Sequence, residues 1–211
     1  VGSDVISAET FADDEGAERA FLGEFFPNLS GVNRPVGAGD VAGRESNCAP
    51  SSIQALNADA FPGRVGEFRA GPSGVVHRDD VPLSGLPPMV RQENGYDGVI
   101  AFAKARDGDG PCGLVFAWFG SDRGGHYFTV HKRGDSVVFV DAQRNRLQVL
   151  GNPVEVWFSP YTGGTELFPV YTPVGSRGAV AQAGPARGEF SGGQRVAAQG
   201  AAAYDSTGWG G

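Results

Sequence analysis

Apolar residues between positions 14 and 26 recur at helical spacing. Ala17, Phe21, Leu22 and Phe25 fall on one stripe. Asp13 and Asp14 suit the positive end of a helix, and Pro27 stops it, so the pattern predicts a helix over about Asp14 to Phe26. Gly16 and Gly23 weaken that helix from within. A second helix is expected from Cys48 to about Ala60, with Ala49, Ile53, Leu56 and Ala60 on one face. Ser46 or Asn47 can cap it, and Pro50 falls in its first turn. Five prolines punctuate Pro62 to Gly95, which reads as loop. A short helix is expected over Asp97 to Ala105.

After that the period changes from helix to strand. Gly113 to Phe119 reads as a buried strand, and His126 to Lys132 with Ser136 to Asp141 as a hairpin. Leu147 to Leu150, Val154 to Phe158 and Leu167 to Tyr171 are further strand expectations. Helices first and strands later predict an α+β fold, with N-terminal helices packed on an antiparallel sheet.

Composition sharpens the boundaries. The 211 residues include 34 Gly and 14 Pro, just under a quarter of the chain. Ten of the glycines and nine alanines lie in Val174 to Gly211, which has no Leu, Ile or Met. A stretch that buries so little apolar surface is expected to be a flexible tail, leaving residues 1–173 as one domain. The net charge of −7 offers no general footprint for phosphate backbones, so neither nucleic acid nor anionic membrane is an expected partner. No apolar run approaches the roughly 18 residues that span a bilayer. No basic-then-apolar start marks a signal peptide; the chain opens at Val1 and its one methionine is Met89, so a fragment or processed form is expected.

The chemistry concentrates on Cys48, His126 and Asp141. Cys48 opens a helix, where unpaired N–H groups and the helix dipole favour a thiolate. A lone cysteine is more often a small buried hydrophobe. His126 and Asp141 stand at the open ends of the hairpin strands. Side chains alternate along a strand, so their relation depends on the turn. A two-residue loop at Gly134-Asp135 makes Asp141 the diagonal neighbour of His126. A four-residue loop places them directly opposite, and a three-residue loop separates them onto opposite faces. Two-residue loops containing glycine are favoured, so a shared face is expected. A thiol, an imidazole and a carboxylate so placed make a nucleophile, a base and its orienter. The Cys48 backbone N–H can serve an oxyanion hole, with the Asn47 or Gln143 side-chain amide as a second donor.

Cys112 precedes a buried strand and reads as core, although a bridge to Cys48 stays open. His131 is expected to face away from His126. Arg133-Gly134-Asp135 reads as a turn, and the scattered histidines and cysteines have no metal-ligand spacing. No cofactor is implied.

Three blocks carry a resemblance: Asn28-Leu29-Ser30-Gly31-Val32-Asn33 followed by Ser46-Asn47-Cys48; Gly124-Gly125-His126-Tyr127-Phe128-Thr129-Val130; and Val138-Phe139-Val140-Asp141-Ala142-Gln143. In this order they resemble the papain-like domains of bacterial polymorphic toxins, related to effector-type protein-glutamine deamidases. The resemblance spans roughly Pro27 to Leu150. It implies a papain-like cysteine hydrolase fold, with Cys48 as nucleophile, His126 as general base and acid, and Asp141 as its orienter. Gln143 matches the glutamine of the Asp-x-Gln element. Ala142 stands where many relatives have glycine, and Ser51 where many have a second cysteine. The implied substrate is a glutamine side chain of a target protein, and an inhibitory immunity protein would be a partner. Such a domain is secreted or delivered into a target cell. A cysteine protease with the same triad, and a non-enzymatic binding or structural module, are the alternatives.

Overall fold

The computed structural model describes residues 4–12, 14–35, 44–71 and 76–169. The expected tail, 174–211, lies outside the described residues. Seven strands occur in chain order: Val5–Ile6 (β1), Val90–Arg91 (β2), Gly110–Trp118 (β3), Gly125–Arg133 (β4), Ser136–Asp141 (β5), Arg146–Leu147 (β6) and Glu155–Pro160 (β7). Three α-helices accompany them: Glu15–Phe25 (α1), Cys48–Ala60 (α2) and Tyr96–Lys104 (α3). The strands form one sheet in the order β1-β5-β4-β3-β7-β2. β6 also pairs with β5, beside β1 on the same outer edge. All pairings are antiparallel except β1 with β5. The fold is α+β.

Alternation along the central strands divides the core into two faces. Leu114 and Tyr127 pack with Ala49, Ile53 and Leu56 of α2. Val115, Ala117, Phe128, Val130, Val137 and Phe139 pack with Val99 and Ala103 of α3 on the other side. α1 joins the α2 side, where Leu22 and Phe26 meet Ala55, Ala58, Val138 and Val140. The sheet is thus the middle of three layers.

α1 begins as its sequence predicts. The Asp14 carboxylate accepts the Ala17 N–H at 2.8 Å and so caps the helix. Its inward residues are Leu22 and Phe26, whereas Phe25 is exposed. α2 differs from the one-faced helix expected of its pattern. Every residue from Ala49 to Ala58 is buried, including Ser51, Ser52, Gln54 and Asn57. It is a central helix, covered by the sheet on one side and by α1 and the proline-rich segment on others.

Two further expectations change. The proline-rich segment contains a 3-10 helix, Arg78–Ser84, with Pro82 inside it. The expected strand at Leu167 to Tyr171 is not found over its described residues. The Asn57 side chain takes the place of a ladder partner there: Asn57 Nδ2 donates to the Leu167 carbonyl at 2.7 Å, and the Leu167 N–H donates to Asn57 Oδ1 at 2.8 Å.

One polar cluster crosses the α1–α2–β4 junction. The Asp59 carboxylate meets His131 Nδ1 at 2.7 Å and ion-pairs with Arg133. His131 Nε2 meets Thr129 Oγ1 at 2.7 Å, and the Arg133 guanidinium lies 4.3 Å from the centre of the Phe26 ring. Burial pushes the His131 pKa below its usual value, so the ring is neutral at neutral pH. Burial works against the Asp59 charge, but the facing His131 and Arg133 outweigh it and hold its pKa below the ordinary range.

Removing one partner of such a pair leaves a buried charge, so Asp59→Ala should lower unfolding stability by about 3–5 kcal/mol in urea denaturation. The sign of the pH dependence follows from His131. Below its unfolded pKa of about 6.5 the unfolded chain binds a proton that the folded chain refuses, so stability should fall on acidification. Asp59 adds a loss of the same sign at lower pH, as it is protonated through its depressed folded pKa. His131→Asn should flatten the change that begins near pH 6.5, and an equally steep slope in that variant would contradict the assignment.

Candidate active site

The hairpin fixes the site. β4 and β5 pair in the register Arg133↔Ser136 to Thr129↔Val140, which leaves Gly134-Asp135 as a two-residue turn. Gly134 has φ 57° and Asp135 does not share the positive φ, the pattern of a type II′ turn. His126 and Asp141 therefore project on one face as diagonal neighbours. That face also carries Phe128 and Phe139, whose rings meet edge-on at 6.2 Å. The His126 ring stacks against Phe128 at 6.1 Å.

The pairing of β4 with β5 ends at Thr129↔Val140, but its pairing with β3 runs on to Gly125↔Trp118. The β4–β5 ladder thus stops short of His126, and the Cys48 sulfur at the start of α2 acts on the His126 ring. Gly125 serves the same geometry, because a side chain there would collide with the Phe116 ring.

The structure brings Cys48, His126 and Asp141 together. His126 Nε2 lies 3.1 Å from Asp141 Oδ2, and the two side chains are 18% and 1% exposed. The ring N–H is not aligned with that oxygen, so the contact is a bent ion pair rather than a straight hydrogen bond. Asp141 Oδ1 accepts the Arg144 N–H at 3.2 Å, which fixes the carboxylate in the turn after β5. The Arg144 guanidinium is 3.8 Å from Oδ2. Burial disfavours a charged His126, but the facing Asp141 and the Cys48 sulfur outweigh it and raise its pKa to about 9. The neighbouring Tyr127 phenol is buried, donates to the Val76 carbonyl at 3.1 Å, and is pushed up by burial and by Cys48.

Asn47 and Gln143 lie beside these three residues, with their amide hydrogens committed elsewhere. Asn47 Nδ2 donates to Asn33 Oδ1 at 2.7 Å and to the Gly71 carbonyl at 2.6 Å. Gln143 Nε2 donates to the Arg44 carbonyl at 3.0 Å and to Asn47 Oδ1 at 3.3 Å. Either amide would have to break one of these bonds to serve an oxyanion. Asn47 also makes no side-chain cap to α2, although asparagine is among the best capping residues. Among the described residues, no side chain caps the helix start where the backbone N–H groups of Cys48 and Ala49 stand.

Both cysteines are free. Cys112 is buried on the α3 face, where burial pushes its thiol pKa up. His131 belongs to the Asp59 cluster on the α2 face. Among the described residues no group of histidine, cysteine and acidic side chains could hold a metal ion, and no helix is long and apolar enough to cross a membrane. Asn33 and Arg44 were not singled out by sequence reasoning. The one sequence signal for Asn33 is its place in the first block quoted above. No family model, curated protein or solved structure matches this chain.

The raised His126 pKa is directly measurable. In a pH titration followed by proton NMR, the ring should titrate near pH 9. Asp141→Asn and Cys48→Ala remove the groups that favour the charged ring but leave the burial, so each should move the midpoint down toward or below about 6.5. A wild-type midpoint already at the ordinary histidine value would remove the electrostatic basis for pairing these residues.

Proposed function

We propose that the chain is a cysteine-dependent hydrolase of papain-like fold that deamidates a glutamine side chain of a target protein, as a toxin or effector domain. The observation that carries this reading is the meeting of Cys48, His126 and Asp141, contributed by a helix start and two adjacent strands. The resemblance of the three sequence blocks supports the choice of substrate.

With a ring pKa of about 9, His126 holds its proton at neutral pH and faces the Cys48 sulfur, which attacks as the thiolate. The thiolate attacks the carboxamide carbon of the glutamine, forming a C–S bond and placing charge on the amide oxygen. The uncapped backbone N–H groups at the start of α2 are the donors for that oxyanion. The C–N bond breaks as His126 delivers its proton, and ammonia leaves. His126, now neutral, takes a proton from water as the water attacks the thioester. The C–S bond breaks, glutamate is released, and the thiolate–imidazolium pair is restored. Asp141 holds the ring orientation and favours its charged form throughout.

Intact-mass analysis of candidate target proteins tests the reading. Wild-type protein should produce an amide-to-acid mass change on a glutamine, and Cys48→Ala should abolish it. His126→Ala should cut the rate by at least about 10²-fold, the lower range for general acid–base catalysis. New chain termini in place of the mass change would identify a protease with the same triad. Full activity in Cys48→Ala would end the cysteine mechanism.

A further inference from the structure

Asn33 is hydrogen-bonded through every polar atom of its side chain. Its Nδ2 donates to the Gln143 carbonyl at 2.7 Å and to the Arg44 carbonyl at 3.4 Å. Its Oδ1 accepts Asn47 Nδ2 at 2.7 Å and the Arg44 guanidinium at 3.0 Å. These bonds join three separate pieces of chain: the loop after α1, the residues leading into α2, and the turn after β5. One end of the lattice is the residue before Cys48, and the other is two residues beyond Asp141. The Asn47 side chain is fully buried within it.

A satisfied polar lattice can be merely structural. Two features of this one point further. It lies beyond the last β4–β5 pair, Thr129↔Val140, so no ladder hydrogen bond holds the turn after β5 beside β4. It also turns the Asn47 side chain away from the helix it would ordinarily cap. Giving up such a cap costs helix stability. What is kept in exchange is a pair of free backbone N–H groups beside the nucleophile.

We propose that Asn33 is a positioning residue, which through Asn47 and Gln143 holds the Cys48 sulfur in register with the His126–Asp141 pair and keeps the first turn of α2 uncapped. This rests on the reading of Cys48 as the nucleophile, but its test needs no substrate. The charged and titratable groups around the pair are Cys48 on α2, Asp141 on β5, Arg144 in the following turn and the phenol of Tyr127.

Alkylation of Cys48 by iodoacetamide reports thiolate and access together. In a full-length Cys112→Ala background, Cys48 is the one thiol. The parent should react at about pH 6 at least about tenfold faster than its His126→Ala variant, in which no imidazolium faces the sulfur. Asn33→Ala should lower the pH 6 rate at least about tenfold yet stay within about twofold of the parent near pH 10, where any exposed thiol is ionised. Gln143→Met removes two lattice bonds at a half-buried position and should give a smaller loss of the same kind. Both substitutions are neutral, so neither adds charge at His126.

An Asn33→Ala protein that is folded by near-UV circular dichroism and retains the parent's pH 6 rate overturns the proposal. If that variant unfolds, an unchanged pH profile in Gln143→Met overturns it. Unfolding of both makes the lattice a stability element, which also overturns it. His126→Ala separates this from the underlying reading: a parent with an ordinary thiol profile that His126→Ala leaves unaltered sinks the Cys48–His126 pair itself.

Discussion

A slip of one residue between β4 and β5 would send His126 and Asp141 to opposite faces of the sheet. Everything at the site depends on that register. The Gly134-Asp135 turn fixes it at one end, because glycine accepts the positive φ that a two-residue turn needs. Alternation fixes it along its length, since Phe128, Val130, Val137 and Phe139 belong to the α3 side of the core and would be driven toward α2 by a slip. The Asp59–Arg133–His131 cluster fixes it again beside the turn. Arg133 and His131 find their carboxylate only if their side of β4 faces α2. The structural charge cluster and the chemical one therefore share a strand and occupy its two faces.

This division explains why the chain can keep two histidine–aspartate pairs of opposite character five residues apart. His131 is enclosed, and burial dominates, so its ring stays neutral. His126 lies beyond the last β4–β5 pair with an acid and a sulfur facing it, and there the local charges win. The residue types are the same in both cases. The surroundings decide which ring carries a proton.

Much of this was legible from residue order. Period-2 alternation with a glycine-containing turn signals the hairpin, and the shared face of His126 and Asp141 follows from the turn length alone. The limits of α2 were legible too, from its cap-like residues, Pro50 and the apolar spacing. Its burial on every side was not, because Ser51, Ser52, Gln54 and Asn57 look solvent-facing when tertiary partners are unknown. Asn57 shows the reason: its amide satisfies the backbone of Leu167, 110 residues away. The same long-range pairing hid the roles of Asn33, Asn47 and Gln143. Local rules make Asn47 a helix cap; a contact with Asn33, 14 residues away, makes it a brace. Two-residue strands such as β1 and β6 lack the length to show any periodicity.

The placement of the two cysteines carries a last consequence, for redox chemistry. Cys48 packs against the α2-side core, Cys112 is buried in the α3-side core, and the two are not bonded to each other. A cysteine thiolate is the form that peroxide oxidises to sulfenic acid, and such a group is ordinarily rescued by a nearby resolving thiol. The one other cysteine, Cys112, is fully buried in the α3-side core. Oxidation of Cys48 would therefore call for a thiol from outside to reverse it, which ties the redox state of that sulfur to the reducing power of its surroundings.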